Sequence, residues 1–274
     1  RPHSSQSDEH SWHLAPPRQR SPQSIFGFIL ALGNTIEMME ASKGGGVFVQ
    51  SLTIALAMSL SADLMGDIWT VDISGDGDFT TIQEAVDAAS DGDEIVVMPG
   101  TYHGEGESVV NMLGKALWLH SASGAEVTVI QGDGVRRGVM CDTDETPETI
   151  IDGFTFSGGD SQIGAAIRCR FASPTITNCI MTGNRASWIG GAIHVYESDA
   201  IITNCLMSGN DADMGGGIYC QKWSYPIISG CTIANHHVQN TGGGIRTNQS
   251  WPFISDSHFC DNDPHHISGN WTDE

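Results

Sequence analysis

Residues 175–252 read TITNCIMTGNRASWIGGAIHVYESDA, IITNCLMSGNDADMGGGIYCQKWSYP and IISGCTIANHHVQNTGGGIRTNQSWP, three consecutive segments of 26 residues each. A further copy starts at Phe253, and a weaker one starts at Ile150. A unit of this length cannot enclose a hydrophobic core by itself, so the copies must stack on one another as the coils of a solenoid.

Apolar and polar residues alternate within each copy. Ile193 and Val195 point to one face, and His194 and Tyr196 point to the other. A period of two residues is typical of β-strands. We place the three strands of one coil at 193–195, 202–203 and 205–207. The sequence therefore predicts an all-β right-handed parallel β-helix with three short strands per coil of about 26 residues, its coils about 4.8 Å apart.

Two columns of side chains follow from this register. Asn178 and Asn204 fall between the second and third strands, where asparagine tolerates a left-handed bend and can bond the asparagine of the next coil. Cys179, Cys205 and Cys231 form an inward column. Directly stacked positions on parallel strands are poorly placed for disulfides. We therefore expect three buried, reduced thiols that act as small hydrophobic side chains.

The composition limits the classes of partner. The chain has 274 residues, with 12 Lys and Arg against 33 Asp and Glu, and a formal net charge of −21. A nucleic-acid binder needs a basic patch to displace counterions from phosphates, so the charge argues against DNA or RNA. It also argues against unaided binding of acidic polysaccharides. The oligomeric state is left open.

We divide the chain into a leader, residues 1–66, and a β-helix domain, residues 67–274. The leader is expected to be disordered apart from segment 39–62, which has the charged, apolar and small-residue order of a signal peptide. Its apolar part is shorter than the ~20 residues of a spanning helix, so no membrane span is expected in the mature domain. The prediction is an extracellular, cell-surface or periplasmic protein. The last coil is incomplete, and we expect the domain to continue beyond residue 274.

Residues 79–105 contain FTTIQEAVDAA and DGDEIVVMPGTYHGE. This segment resembles the N-terminal part of pectinesterases and other pectin-lyase-fold proteins, in which a short helix covers the first coil. Ile82, Ala85, Val86 and Ala89 would form the buried face of that helix. The later units, with their Gly-Gly, Asn-Cys and Gly-Asn pairs, resemble the β-helix repeats of bacterial secreted proteins and of polymorphic outer-membrane proteins.

The resemblance is specific for the fold and leaves the activity open. Pectinesterases carry Gln-Asp-Thr-Leu, Asp-Phe-Ile-Phe-Gly and Gly-Arg-Pro-Trp segments, and polygalacturonases carry Asn-Thr-Asp, Asp-Asp, Gly-His-Gly and Arg-Ile-Lys segments. None of these occurs in this sequence. Polysaccharide lyases share calcium-binding carboxylates and a basic residue that abstracts a proton. If the chain is an enzyme, the resemblance implies a lyase-like activity, and its catalytic residues are unknown.

The resemblance also implies a substrate groove along the strand that follows the glycine pair. The outward residues of that strand in successive coils are Arg168, His194, Tyr219 and Arg246, with Tyr196 and Trp223 beside them. Aromatic faces stack on sugar rings, and arginine can bond hydroxyls or carboxylates in a fork. The predicted function is polysaccharide binding with possible cleavage. A solvated sheet face in a non-catalytic structural or adhesive repeat protein is the alternative.

Acidic residues near this column suggest a metal-binding site. Asp211 and Asp213 precede Tyr219 and could help to hold Ca²⁺, which prefers oxygen ligands. Arg168 or Arg246 beside one of these acids, or beside Glu197, could serve a lyase. No cofactor is required by the sequence, and calcium is the one ion that it suggests. The same two acids in a surface turn could equally be solvated.

Overall fold

The structure is a computed structural model, and it describes residues 66–273. Nearly all of the predicted leader, with its signal-peptide-like segment 39–62, lies outside the described residues. The part that is described contains one helix, α1 (Ile82–Ala88), and a series of short parallel strands, the first of which precedes the helix. No helix between residues 66 and 273 is long and apolar enough to cross a membrane.

The strands are short and are separated by tight turns. In chain order they are β1 (Ile68–Val71), β2 (Glu94–Val97), β3 (Gly100–Tyr102), β4 (Ser108–Asn111), β5 (Trp118–Ser121), β6 (Thr128–Gln131), β7 (Arg137–Cys141), β8 (Ile150–Asp152), β9 (Thr155–Ser157), β10 (Asp160–Ile163), β11 (Ile167–Arg170), β12 (Thr175–Thr177), β13 (Ile180–Thr182), β14 (Arg185–Ile189), β15 (Ile193–Tyr196), β16 (Ile201–Thr203), β17 (Leu206–Ser208), β18 (Asp211–Met214), β19 (Ile218–Gln221), β20 (Ile227–Ser229), β21 (Thr232–Ala234), β22 (His237–Thr241), β23 (Ile245–Asn248), β24 (Phe253–Ser255), β25 (His258–Cys260), β26 (Ile267–Ser268) and β27 (Thr272–Asp273).

Three long parallel sheets confirm the β-helix with three strands per coil. Sheet A has the order β1-β2-β5-β8-β12-β16-β20-β24-β27, sheet B the order β3-β6-β9-β13-β17-β21-β25, and sheet C the order β4-β7-β11-β15-β19-β23-β26. Consecutive strands within a sheet come from successive coils. Each coil therefore pairs only with its neighbours, as expected of a solenoid.

The structure also contains a fourth sheet, which the sequence did not predict. Sheet D, with the order β10-β14-β18-β22, lies along the chain between sheets B and C. Its pairing contains register shifts, for example between Arg185 and Ile189. From β12 to β24 the strands of sheet A start 26 residues apart, whereas the starts of β15, β19 and β23 in sheet C are 25 and 27 residues apart. The register shifts of sheet D absorb this difference in coil length.

The short helix closes the first coil as predicted. The Oγ1 of Thr81 accepts from the backbone N–H of Glu84 at 3.3 Å and donates to the Glu84 carboxylate at 2.8 Å. Thr81 is thus the N-cap of the helix, and its hydroxyl satisfies a backbone donor of the first turn. Ile82, Ala85 and Val86 are buried, and α1 packs against β1, β2 and β4. The helix thereby covers the apolar interior of the first coil.

The cysteine column is buried as predicted. Cys179, Cys205 and Cys231 are free thiols with at most 2% of their surface exposed. Each Sγ donates to a backbone carbonyl two residues before it, at distances from 3.0 to 3.4 Å. Hydrogen bonds with the neighbouring thiols of Cys179 and Cys231, together with burial, raise the pKa of Cys205 well above its ordinary value. The column is therefore part of the hydrophobic core.

The predicted asparagine column bends the chain but does not bond in the expected way. Asn178 and Asn204 have φ of 52° and 53°, and Gly230 continues the left-handed position with 63°. Asn178 donates to the carboxylate of Asp152 in the preceding coil at 2.8 Å, in place of the expected bond to Asn204. These asparagines lie at the surface, where acidic and hydroxyl side chains of adjacent coils are available as acceptors.

A buried amide ladder instead lies in the turn between sheets B and D. Asn184, Asn210 and Asn262 are at most 7% exposed, and His236, which is 0% exposed, occupies the third of the four positions, between Asn210 and Asn262. The amide of Asn210 donates to the carbonyl of Met181 at 2.9 Å, and the amides of Asn184 and Asn262 donate in the same way. The ladder satisfies backbone groups that the turn would otherwise leave unpaired.

Candidate functional site

The predicted column on the outer face of sheet C is in register. Arg168 pairs with His194, His194 with Tyr219, and Tyr219 with Arg246, each in the next coil. The residue-to-residue pairing of this column is therefore confirmed despite the change in coil length. We call these four residues the sheet C ladder.

The middle of the ladder is buried, which the sequence did not predict. His194 and Tyr219 are 3% and 4% exposed, whereas Arg168 and Arg246 are partly exposed. The rings of His194 and Tyr219 stack with centroids 6.1 Å apart. A glycine in the left-handed region turns the chain sharply beside each of them, so that the backbone passes against their Cβ atoms. His194 and Tyr219 therefore support the surface and do not line an open groove.

His194 is an unusual member of the ladder. Neither ring nitrogen has a hydrogen-bond partner. Burial, together with the positive charges of Arg168, Arg137 and Arg170, lowers the pKa of His194 to about 3. The ring is therefore neutral at physiological pH and is surrounded by cations.

The two most exposed aromatic side chains of the described residues lie on the turn that joins sheet C to sheet A. Trp223 and Tyr225 are 61% and 49% exposed. Trp251, in the next coil, has its ring centroid 6.0 Å from each of these two rings, with interplanar angles of 28° to Trp223 and 16° to Tyr225. We call these three residues the aromatic platform. Trp223 was predicted as a binding residue, and the structure brings Tyr225 and Trp251 to it.

Two more aromatic rings, those of Phe171 and Tyr196, lie near the same turn in the preceding coils, and cationic side chains pack against them. The guanidinium of Arg170 lies 4.5 Å from the ring centroid of Phe171 and 5.9 Å from that of Tyr196. The Nζ of Lys222 lies 5.4 Å from the Tyr196 ring. Such contacts hold the rings and the charges in a fixed order along the helix axis. Tyr196 thus connects the sheet C ladder to the aromatic platform.

Sheet C is the cationic face of an acidic protein. Residues 66–273 contain eight Lys and Arg residues. Five of them lie on a strand of sheet C or directly after one: Arg137, Arg168, Arg170, Lys222 and Arg246. The other three are Lys115, Arg136 and Arg185. The net charge alone therefore hides a local concentration of positive charge.

The structure places the two predicted calcium ligands on β18 and gives one of them an arginine partner. The Nε of Arg185 lies 3.4 Å from Oδ2 of Asp211 and its Nη1 lies 3.8 Å from Oδ2 of Asp160. Asp213 is two residues away on the same strand. Between residues 66 and 273, no three His, Cys, Asp or Glu side chains are grouped so that they could hold a metal ion. Calcium binding stays a prediction.

The arginines of the ladder have other partners than the predicted acids. The Nη1 of Arg246 donates to Ser268 at 3.2 Å, and the Nη1 of Arg168 lies 4.0 Å from Oε1 of Glu107. Glu197 is exposed in the turn after β15. Glu107, which sequence reasoning missed, lies directly before a strand of sheet C, and only the stacking of coils brings it to Arg168.

The chain is similar to a protein family and, at low identity, to solved structures. A pectin methylesterase from carrot matches with 13% identity over 76% of this chain and 88% of its own, at a TM-score of 0.42. A deglycosylated pectin methylesterase from Aspergillus niger matches with 13% identity over 74% and 89%, at a TM-score of 0.36. No curated protein matches the sequence. The model of the right-handed β-helix region matches residues 116–269, and the chain therefore belongs to the right-handed β-helix family.

Proposed function

We propose that the chain binds a polysaccharide along the turn and the outer face of sheet C. The observation that carries this proposal is the aromatic platform, in which Trp223 and Tyr225 are exposed, although large aromatic side chains are usually buried, and the partly buried Trp251 stacks beside both. Its rings offer apolar faces with polar edges, and such faces stack against the C–H faces of sugar rings.

The ends of the sheet C ladder would supply polar contacts to the same ligand. Arg168 and Arg246 are partly exposed and are three coil steps apart. Three steps span about 14 Å at ~4.8 Å per step, a distance that accommodates two or three sugar rings. The buried pair His194 and Tyr219 would act as the rigid floor beneath them. Proteins that engage an external polysaccharide are exported, and we propose an extracellular or cell-surface location on this basis.

A glycan array probed with the full chain tests the proposal. Stacking contacts contribute about 0.5–1.5 kcal/mol each, so replacing Trp223 and Trp251 by alanine should weaken binding about tenfold. Trp188→Ala is the matched control, because Trp188 is 47% exposed but lies on sheet D. Arg246→Ala should also cost about tenfold, since a bond to a charged group contributes about 1.5–3 kcal/mol.

The outcome separates this proposal from the alternative. If the wild-type chain binds no glycan, or if Trp188→Ala weakens binding as much as the platform variant does, the aromatic rings only brace the turns. The chain would then be a structural or adhesive repeat protein. Bound samples should also be assayed for unsaturated sugar ends, the product of a lyase. Their appearance, and its loss in Arg168→Ala or after calcium chelation, would extend binding to eliminative cleavage.

A further inference from the structure

A cavity of about 350 Å³ lies where sheets C and D begin. Its charged lining residues are Glu107, Arg137, Asp160 and Arg168. The cavity is separate from the aromatic platform, because Arg168 is two coil steps before the coil that carries Trp223.

One carboxylate bridges two guanidinium groups at this cavity. The Nη2 of Arg137 donates to Oε1 of Glu107 at 2.9 Å, and the Nη1 of Arg168 lies 4.0 Å from the same oxygen. Arg137 is only 4% exposed, whereas the Glu107 side chain is 66% exposed. A buried cation is thus neutralised by a carboxylate that can leave into solvent.

The two arginines are not fully satisfied by their present partners. Arg137 also donates to the carbonyl of Ile163 at 2.8 Å, but the Nε atoms of Arg137 and Arg168 are buried and have no hydrogen-bond partner. Burying an unpaired donor of a charged group is costly. Asp160 does not compensate for them, because its carboxylate is shared with Arg185.

Two arginines lie close together at this cavity. The pKa of Arg137 is lowered because it is buried and lies near Arg168, effects that outweigh the attraction of Glu107 and Asp142. The neighbouring ladder residue His194 is uncharged for related reasons, with Arg168 and Arg137 among the cations that disfavour its protonation. The cavity is therefore lined by two arginines and two carboxylates; Glu107 is the one that bonds to Arg137, while Asp160 lies 3.8 Å from Arg185.

We propose that this cavity binds a compact oxyanion, a carboxylate or sulfate group, in the place that the Glu107 carboxylate occupies. Glu107 closes the site in the absence of the ligand and swings into solvent when the oxyanion bonds to Arg137 and Arg168. Planar guanidinium groups match the geometry of such oxyanions. The site shares Arg168 with the proposed polysaccharide-binding face, but it is separate from the aromatic platform and does not require polysaccharide binding.

Titration calorimetry of the full chain with sodium sulfate and sodium acetate, at constant ionic strength in chloride, tests the proposal. Glu107→Gln keeps the shape of the side chain but removes its charge, so the competing bond becomes weaker. We expect this variant to bind sulfate and acetate about tenfold more tightly than the wild type. Glu105→Gln removes the same charge from the same turn and should leave the affinity unchanged. Arg168→Gln, introduced into the Glu107→Gln variant, should abolish the gain.

Two results would overturn the oxyanion site. One is that the Glu107→Gln variant binds neither sulfate nor acetate. The other is that Glu105→Gln raises the affinity as much as Glu107→Gln does, which would reflect net charge alone.

Titrations with glucuronic acid and glucose then identify the source of the oxyanion. If glucuronic acid binds more tightly than acetate while glucose does not bind, the group is carried on a sugar; equal binding of acetate and glucuronic acid indicates a free anion. Platform variants should not change these titrations, so failure of one proposal leaves the other intact.

Discussion

His236 makes the coil stack sensitive to acid, and replacing it by asparagine should remove much of that sensitivity. His236 occupies a position of the buried amide ladder, between Asn210 and Asn262. Its Nδ1 bonds to the backbone of Asn210 at 3.1 Å, but its Nε2 has no partner. An asparagine at 236 would bring an amide group to the place from which Asn210 and Asn262 donate to backbone carbonyls.

The loss of stability at low pH can be calculated from the pKa of the buried His236. Burial lowers the pKa of His236 to about 4, from 6.5 in the unfolded chain. Below pH 6.5 the unfolded state therefore binds more protons than the folded state, so stability is highest above pH 6.5 and falls as the pH drops towards 4. The two pKa values differ by about 2.5, and at ~1.4 kcal/mol per pH unit the loss is about 3 kcal/mol.

Urea denaturation followed by far-UV circular dichroism at pH 7 and pH 4 measures this loss. The His236→Asn variant should lose about 3 kcal/mol less than the wild type over this range. His194 is present in both proteins, so its own contribution cancels in the comparison. His237→Asn is the matched control, because His237 is the exposed neighbour, and it should behave as the wild type. Equal losses in wild type and His236→Asn would refute a buried neutral histidine in the ladder.

Two further predictions concern the core. The thiols of Cys179, Cys205 and Cys231 should react with a thiol reagent only after unfolding, because each is at most 2% exposed; labelling of all three in the native protein would contradict the inward column. Gly217→Val should lower the free energy of unfolding by roughly 1–3 kcal/mol, since a Cβ there would lie 2.5 Å from the carbonyl oxygen of Gly244. An unchanged urea midpoint would show that the backbone can move apart at this coil.

The stacking of coils could be predicted because it repeats. The 26-residue period and the alternation around Ile193 and Ile202 specify strands, inward faces and register, since each coil contacts only its neighbours. The pairing of Arg168 with His194 and the burial of Cys205 follow from the same pattern. These features are local in the solenoid, and local patterns are what a sequence displays.

The asparagine ladder shows where that reasoning fails. Asn178 and Asn184 are both polar residues in a turn, and the repeat offers a column at each position. The prediction concerns the surface column alone, yet the bond between asparagine side chains of adjacent coils, from Asn184 to Asn210, lies in the buried column. The choice depends on which turn leaves backbone groups unpaired inside the protein, and this is known only when the path of sheet D is known.

The sequence by itself determined the class of fold, the coil length, the capping helix and the face on which each strand residue lies, because these depend on periodicity and on a local helix cap at Thr81. Only the tertiary structure decided the depth of each side chain. The glycine turns after sheet D cover His194 and Tyr219, and the stacking of adjacent coils brings Glu107 to Arg137 and Arg168. The alternation of apolar and polar residues specifies whether a side chain points inward or outward. Its burial and its charged partners depend on the residues that the neighbouring coils place around it.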